Sequence, residues 1–159
     1  MTRILLVCMA NVCRSPMALA VAKQRVGVMG LGKEFDFDSA GTHARRTGER
    51  PDPRAVSVLL SRRYTLGKTR SRQVTVQDFE RFDLIVAMDE TNLAALHSMC
   101  PPPHRDKLRL LLEFAPELGM CEVPDPYYGS LAGFDRVLAL CEAGVEGLLK
   151  SQASKAQAL

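Results

Sequence analysis

The 159-residue chain predicts a single α/β domain: a three-layer sandwich in which a four-stranded parallel sheet carries helices on both faces. Three observations lead there. Ile4-Leu5-Leu6-Val7 and Leu84-Ile85-Val86-Ala87-Met88 are unbroken aliphatic runs, the pattern of strands buried on both faces. Segments with three- and four-residue apolar spacing lie between such runs, as crossover helices do. Each run ends in a short polar segment followed by helix-start signals, which sets strand ends beside helix starts.

Taken in order, the first strand leads through a tight loop to Ser15-Pro16, read as an N-cap with proline at the first helical position. Ala18, Val21, Ala22 and Val26 then share a face, with Lys23, Gln24 and Arg25 opposite. Phe35 to Ala40 alternates as a second strand and ends in Gly41-Thr42, followed by a charged loop over residues 43–50. Asp52-Pro53 opens a helix through Leu60, and Gly67 breaks the chain after it. Thr75-x-x-Asp78 caps a short helix ending near Phe82. Leu84 to Met88 is the third strand, and Asp89 caps a helix from Thr91 to His97 with support from Asn92. Pro101-Pro102-Pro103 terminates that segment, and Leu108 to Leu112 supplies a fourth strand. From Leu131, the spacing of Phe134, Val137, Leu138, Cys141, Val145 and Leu148 predicts a final amphipathic helix. The domain is read as residues 1–150, and residues 151–159 as a frayed tail.

A hydrophobic fraction of 47% with 25% charged residues is ordinary for a soluble globular protein. The longest apolar runs fall far short of the roughly 20 residues a membrane span needs, so no membrane partner is expected. The N-terminal aliphatics pass straight into a polar loop, unlike a secretory signal, and five cysteines is an odd count. Reduced thiols in a cytoplasmic monomer are therefore expected, with no cofactor, and no Cys or His spacing suggests a metal site. Residues 41–75 carry nine Lys/Arg against two acids, whereas residues 76–159 carry seven against thirteen. The basic section suits an acidic phosphoprotein partner. Only Tyr64 interrupts it with an aromatic ring, which argues against nucleic acid.

The chemistry concentrates in Val7-Cys8-Met9-Ala10-Asn11-Val12-Cys13-Arg14-Ser15. A loop between a strand's carboxyl end and a helix's amino end gathers free N–H groups and the positive end of a helix dipole, so it cradles anions. Cys8 at the strand end points its sulfur into that cradle, and Arg14 can hold two phosphate oxygens in a fork. The thiolate is the nucleophilic form of cysteine, so Cys8 in such surroundings is expected to serve as a standing nucleophile. Cys-x5-Arg alone is expected about 0.5 times by chance in this composition, and requiring Ser or Thr next cuts that to about 0.05. Asp125, stiffened by Pro124 and Pro126, is a second candidate: a carboxylic acid on a loop can protonate a leaving oxygen and later activate water. Cys13 lies close enough in sequence for a reversible disulfide with Cys8, which needs a Cα separation of roughly 4.4–6.8 Å. His43, His97 and His104 stand in no motif.

These residues resemble the phosphate-binding loop of the low-molecular-weight protein tyrosine phosphatases. The likeness continues in order through Ser39-Ala40-Gly41-Thr42-His43, Pro51-Asp52-Pro53-Arg54-Ala55, Arg72-Gln73-Val74, Ala87-Met88-Asp89-Glu90, and Pro124-Asp125-Pro126-Tyr127-Tyr128-Gly129. The resemblance implies hydrolysis of phosphotyrosine through a cysteinyl-phosphate intermediate, with Cys8 as nucleophile, Arg14 as phosphate clamp and Asp125 as general acid and base. It assigns phosphate binding and loop support to Met9, Ala10, Asn11, Val12, Cys13 and Ser15, with Ser39 bonded to Asn11. Ser15 donates to the thiolate. Asp89 is structural in the family, and Tyr127 and Tyr128 line the cleft mouth. Arg45 replaces an aromatic cleft wall, Thr69 replaces a histidine that orders the loop, and Ala10 replaces a glycine. If Ala10 requires positive φ, the loop is strained. The implied partners are a tyrosine-phosphorylated protein or peptide with acidic flanks, and phosphate or similar oxyanions.

Three other readings use the same loop. A phosphoarginine phosphatase tends to hold threonine where Val12 stands. An arsenate reductase needs relay cysteines, and Cys100, Cys121 and Cys141 form no close pair in sequence. A non-catalytic phosphate-binding module would have no use for Cys8 or Asp125.

Overall fold

The structure is a computed structural model that describes residues 1–44 and 47–158, with side chains as far as residue 155. The chain runs β1 (Thr2–Cys8), α1 (Arg14–Val28), β2 (Phe35–Gly41), α2 (Pro53–Ser61), α3 (Asp78–Arg81), β3 (Leu84–Ala87), α4 (Glu90–Met99), β4 (Leu108–Leu110) and α5 (Leu131–Ala158). Short 3-10 turns cover Pro102–Lys107, Leu111–Phe114 and Pro116–Leu118.

The four strands form one parallel sheet in the order β2-β1-β3-β4. The chain builds outward from β1 in one direction and then in the other, so the strand order reverses there. That reversal opens a crevice at the carboxyl end of β1, where open α/β sheets bind ligands. The unbroken aliphatic strands serve both faces. Ile4, Leu6, Leu84 and Val86 join a core with α1, α2 and α5, whereas Leu5, Val7, Ile85 and Ala87 join one with Phe79, Phe82 and Leu96. Each fully buried aliphatic side chain contributes about 1.5–3 kcal/mol, so β1 is anchored from both sides.

Several ends differ from the expectation. Helix α1 begins at Arg14 with Cys13 as N-cap, and Pro16 is its third residue. Ser15 does not cap because its hydroxyl is held by Asn11 and Cys8. Proline remains tolerable because first-turn N–H groups have no acceptor within the helix. β4 ends at Leu110, and Leu111 and Leu112 turn into the core beneath α5. Helix α4 extends beyond both expected ends, to Glu90 and Met99. Helix α5 continues to Ala158, so the stretch expected to fray has helical backbone through residue 158. Asp52 caps α2 as expected, accepting the Arg54 N–H at 2.8 Å, with Pro53 first in the helix.

Candidate active site

Strand β1 ends at Cys8, which pairs in register with Gly41 of β2. A side chain at Gly41 would place its Cβ 2.6 Å from the Met9 carbonyl, so only glycine lets the loop lie against the strand end. Thr42 N–H donates to Cys8 O at 3.0 Å and His43 N–H to Met9 O at 2.8 Å, while Asp52 N–H donates to Val12 O at 2.8 Å. The loop's carbonyls are thus tied outward. Its N–H groups at residues 9–13 make no hydrogen bond to another described residue, which leaves donors for an anion.

Asn11 holds the loop's shape. It is buried and adopts φ 60, the left-handed region. The positive φ therefore falls at Asn11 and not at Ala10, and asparagine is among the few residues that adopt it readily. The Asn11 amide donates to Ser15 Oγ at 2.7 Å and Ser39 Oγ at 3.0 Å, and its carbonyl oxygen accepts the Arg72 N–H at 3.0 Å. Ser15 Oγ lies 3.0 Å from Cys8 Sγ. Because an amide hydrogen already points at that oxygen, the hydroxyl proton is left for the sulfur or for Ala40 O at 3.5 Å. Thr69 plays no part here; its hydroxyl donates to Leu66 O at 2.6 Å within its own turn.

Arg14 is buried, with Nη1 donating to Asp89 Oδ2 at 2.6 Å and to Val123 O at 2.9 Å. Nε and Nη2 form no hydrogen bond among the described residues, Nη2 standing 3.8 Å from Asp125 Oδ2, so this edge can grip an oxyanion. Burial acts to lower the Arg14 pKa, but Cys8, Asp89 and Asp125 outweigh it and hold the guanidinium firmly charged. Asp89 Oδ1 accepts the Asn92 N–H at 2.7 Å, so both carboxylate oxygens are committed, one to capping α4 and one to Arg14.

Asp125 reaches the same place from the far end of the sequence. Its Oδ2 is 3.8 Å from Arg14 Nη2, and Oδ1 accepts the Tyr127 N–H at 3.0 Å. Arg54 fastens this loop: it donates to Tyr127 O at 2.8 Å and Gly129 O at 3.2 Å, lies over the Tyr127 and Phe134 rings, and pairs with Asp52 at 2.9 Å. Tyr127 and Tyr128 meet edge to face, with centroids 4.9 Å apart.

Together these groups enclose a cleft of about 640 Å³ lined by Cys8, Met9, Ala10, Val12, Cys13, Arg14, Asp125, Tyr127 and Tyr128. Met9 is a partly exposed lip, whereas Cys13 is buried. Burial first, then Asp52, Cys8 and Asp125, push the Cys13 thiol up to about 12 against the pull of Arg54. His43 and Glu49 also line the cleft, although neither is singled out by the sequence. Both sit in the 43–50 loop expected to border the site, and His43 also ends the Ser39-to-His43 block that carries the resemblance. Arg45 lies outside the described residues. No group of three or more His, Cys, Asp or Glu among the described residues could hold a metal.

The chain is similar to known proteins over nearly its whole length. The family model for low molecular weight phosphotyrosine protein phosphatase matches residues 3–158. A low molecular weight protein-tyrosine-phosphatase of Streptomyces coelicolor is 44% identical over 151 residues, covering 92% of this chain and 91% of that one. A low molecular weight phosphotyrosine protein phosphatase of Schizosaccharomyces pombe is 42% identical over 133 residues, covering 83% and 85%. A crystal structure of a protein tyrosine phosphatase from Entamoeba histolytica, with Hepes in its active site, superposes with a TM-score of 0.94 at 37% identity, covering 98% of this chain and 99% of that one. A match over nearly the whole length, on a fold and loop built as described, means that the chain belongs to the low molecular weight phosphotyrosine protein phosphatase family.

Proposed function

We propose that this protein hydrolyses phosphotyrosine in proteins or peptides, with Cys8, Arg14 and Asp125 as its catalytic residues. The observation that carries the reading is one cleft holding the Cys8 sulfur, the free edge of the Arg14 guanidinium and the Asp125 carboxyl group. The phosphate rests on the loop N–H groups and on Arg14. Cys8 thiolate attacks phosphorus from below, the P–S bond forms, and the P–O bond to the phenol breaks as protonated Asp125 gives its proton to the departing oxygen. Water then enters, Asp125 takes its proton, and inorganic phosphate leaves as the P–S bond breaks. The Ser15 hydroxyl stabilises the released thiolate. Arg14 and the loop donors act where charge builds on the equatorial oxygens, which stabilises the transition state.

The cleft walls support an aryl phosphate. Tyr127 and Tyr128 offer ring faces at the mouth, and Val12 presents an aliphatic side chain where a phosphoarginine enzyme tends to have threonine. Arsenate reduction needs a relay pair, and of the three downstream thiols Cys121 is exposed while Cys100 and Cys141 are buried. Cys141 is enclosed in the core and burial pushes its thiol up to about 12, while Cys100 belongs to the core on the opposite face of the sheet. The test is rapid mixing with an aryl phosphate: wild type releases a stoichiometric burst of phenol and then turns over steadily, and Cys8→Ser does neither while still binding phosphate. Steady turnover by Cys8→Ser would end the reading.

A further inference from the structure

A second cavity, of about 610 Å³, shares no lining residue with the catalytic cleft. One face of α1, the side chain of Asp38 on β2 and the turn over residues 63–70 form its walls. Among the described residues, four cations line it, Lys23, Arg63, Lys68 and Arg70, and one acid, Asp38, which is already bound to Arg72 at 3.1 Å. The side chains of Lys23, Arg63 and Lys68 have no hydrogen-bond or ion-pair partner among the described residues. Gathering like charges around a concavity is costly unless something of opposite charge enters.

Arg63 ends α2 in the left-handed region at φ 64, with its N–H donating to Leu60 O at 3.0 Å and the Tyr64 N–H to Leu59 O at 2.9 Å, and this helix stop sets its side chain on the cavity wall. The partly buried Leu66 lies beside the cations, with Leu19 buried beneath. The volume lies within the roughly 300–1,000 Å³ range of small-molecule pockets and exceeds what a lone phosphate fills. We propose that this cavity is a second anion site, separate from the catalytic cleft, that binds an organic di- or triphosphate, its phosphates on Lys23, Arg63, Lys68 and Arg70 and its organic part against Leu66. The concave shape favours a small ligand over an acidic protein segment, which would need an extended groove.

The test reads binding at the site itself, so its outcome does not depend on the phosphatase reading. Isotope-labelled protein is saturated with benzylphosphonate to occupy the catalytic cleft and then titrated with ADP at low salt, following backbone amide signals. Saturable shifts at residues 19–24 and 63–70 are expected, weaker with pyrophosphate and absent with adenosine, and the apparent Kd rises with ionic strength. Lys68→Glu is expected to weaken ADP about tenfold and Arg63→Gly about fivefold, with aryl-phosphate turnover unchanged in both. Arg63→Gly removes the guanidinium while relieving the backbone, so its loss of binding is not a folding defect. The proposal is overturned if no shift occurs at those residues by about 10 mM ADP. It is equally overturned if both variants bind ADP as wild type does, or if shifts are confined to the catalytic loop. A raised KM for an acidic phosphopeptide in Lys68→Glu, without ADP binding in wild type, would make the patch a protein-docking surface and overturn it too.

Discussion

Asn11 offers the sharpest test of how the phosphate loop is held. Asn11→Gly removes three hydrogen bonds, buried ones to Ser15 and Ser39 and a partly buried one from the Arg72 N–H, while leaving the left-handed backbone at φ 60 accessible. Ser15 Oγ and Ser39 Oγ each lose the amide donor they accept from, at about 0.5–1.5 kcal/mol each, and the Arg72 N–H is left without its acceptor at about 1–3 kcal/mol. The expected loss of stability is therefore about 2–4 kcal/mol after partial relaxation, a large share of a domain's usual 5–15. Asn11→Ala should lose about 1 kcal/mol more, because alanine resists positive φ. Ser39→Ala, which removes a single bond, should lose about 1 kcal/mol. Urea unfolding gives the three free energies, and kcat/KM on an aryl phosphate reports the loop. Both Asn11 variants should fall about a hundredfold in kcat/KM as the donors lose alignment. If Asn11→Gly lies within about 0.5 kcal/mol of wild type, or if Asn11→Ala is the more stable of the two, the reasoning is refuted.

Three further outcomes follow from the site. Asp125→Ala should lower kcat/KM, which reports only the step that expels the leaving group, about 10²–10⁴-fold on phenyl phosphate but far less on a dinitrophenyl ester, whose leaving group needs no proton; equal losses on both would remove Asp125 as the acid. In a Cys8→Ser background, alkylation of Cys13 should climb about tenfold per pH unit and still be rising at pH about 10, because burial keeps the thiol protonated; a plateau below pH about 9 would contradict this. Arg54 holds the Asp52 carboxyl below its ordinary value of 3.8, so Asp52 stabilises the fold above that value and loses its contribution as pH falls through the depressed one. Asp52→Asn, which keeps a capping oxygen, should flatten the loss of urea stability between pH about 5 and about 3; an unchanged acid slope would count against the Arg54 pairing.

The reach of the sequence reading follows from distance along the chain. Cys8, Arg14 and Ser15 are separated by at most a loop and one helical turn, so strand-then-helix patterning already puts them around one anion cradle. The Cys8–Ser15 separation of 3.0 Å follows from that local geometry. Asp52 as a cap and Asp89 as a cap were legible for the same reason, since each bonds an N–H two or three residues away. Ser15 misled because its composition signal for a cap is the same whether the hydroxyl faces its own helix or the neighbouring strand.

What remained hidden depends on partners brought together only when the sheet closes. Arg72 supports Asn11 from 61 residues away, and Arg54 fastens a loop more than 70 residues downstream. Neither has a spacing that could reveal it. The gathering of Lys23 with Arg63, Lys68 and Arg70 likewise needs α1 to lie beside a turn from another part of the chain. The sequence by itself determined the alternation of buried strands and helices and the chemistry of the Cys8 loop, because hydrophobic period and helix-start geometry are local properties. Only the tertiary structure decided which distant side chains hold that loop in shape, how far Asp125 stands from Arg14, and where the basic residues converge. Those depend on packing across the sheet, and no residue's neighbours along the chain encode it.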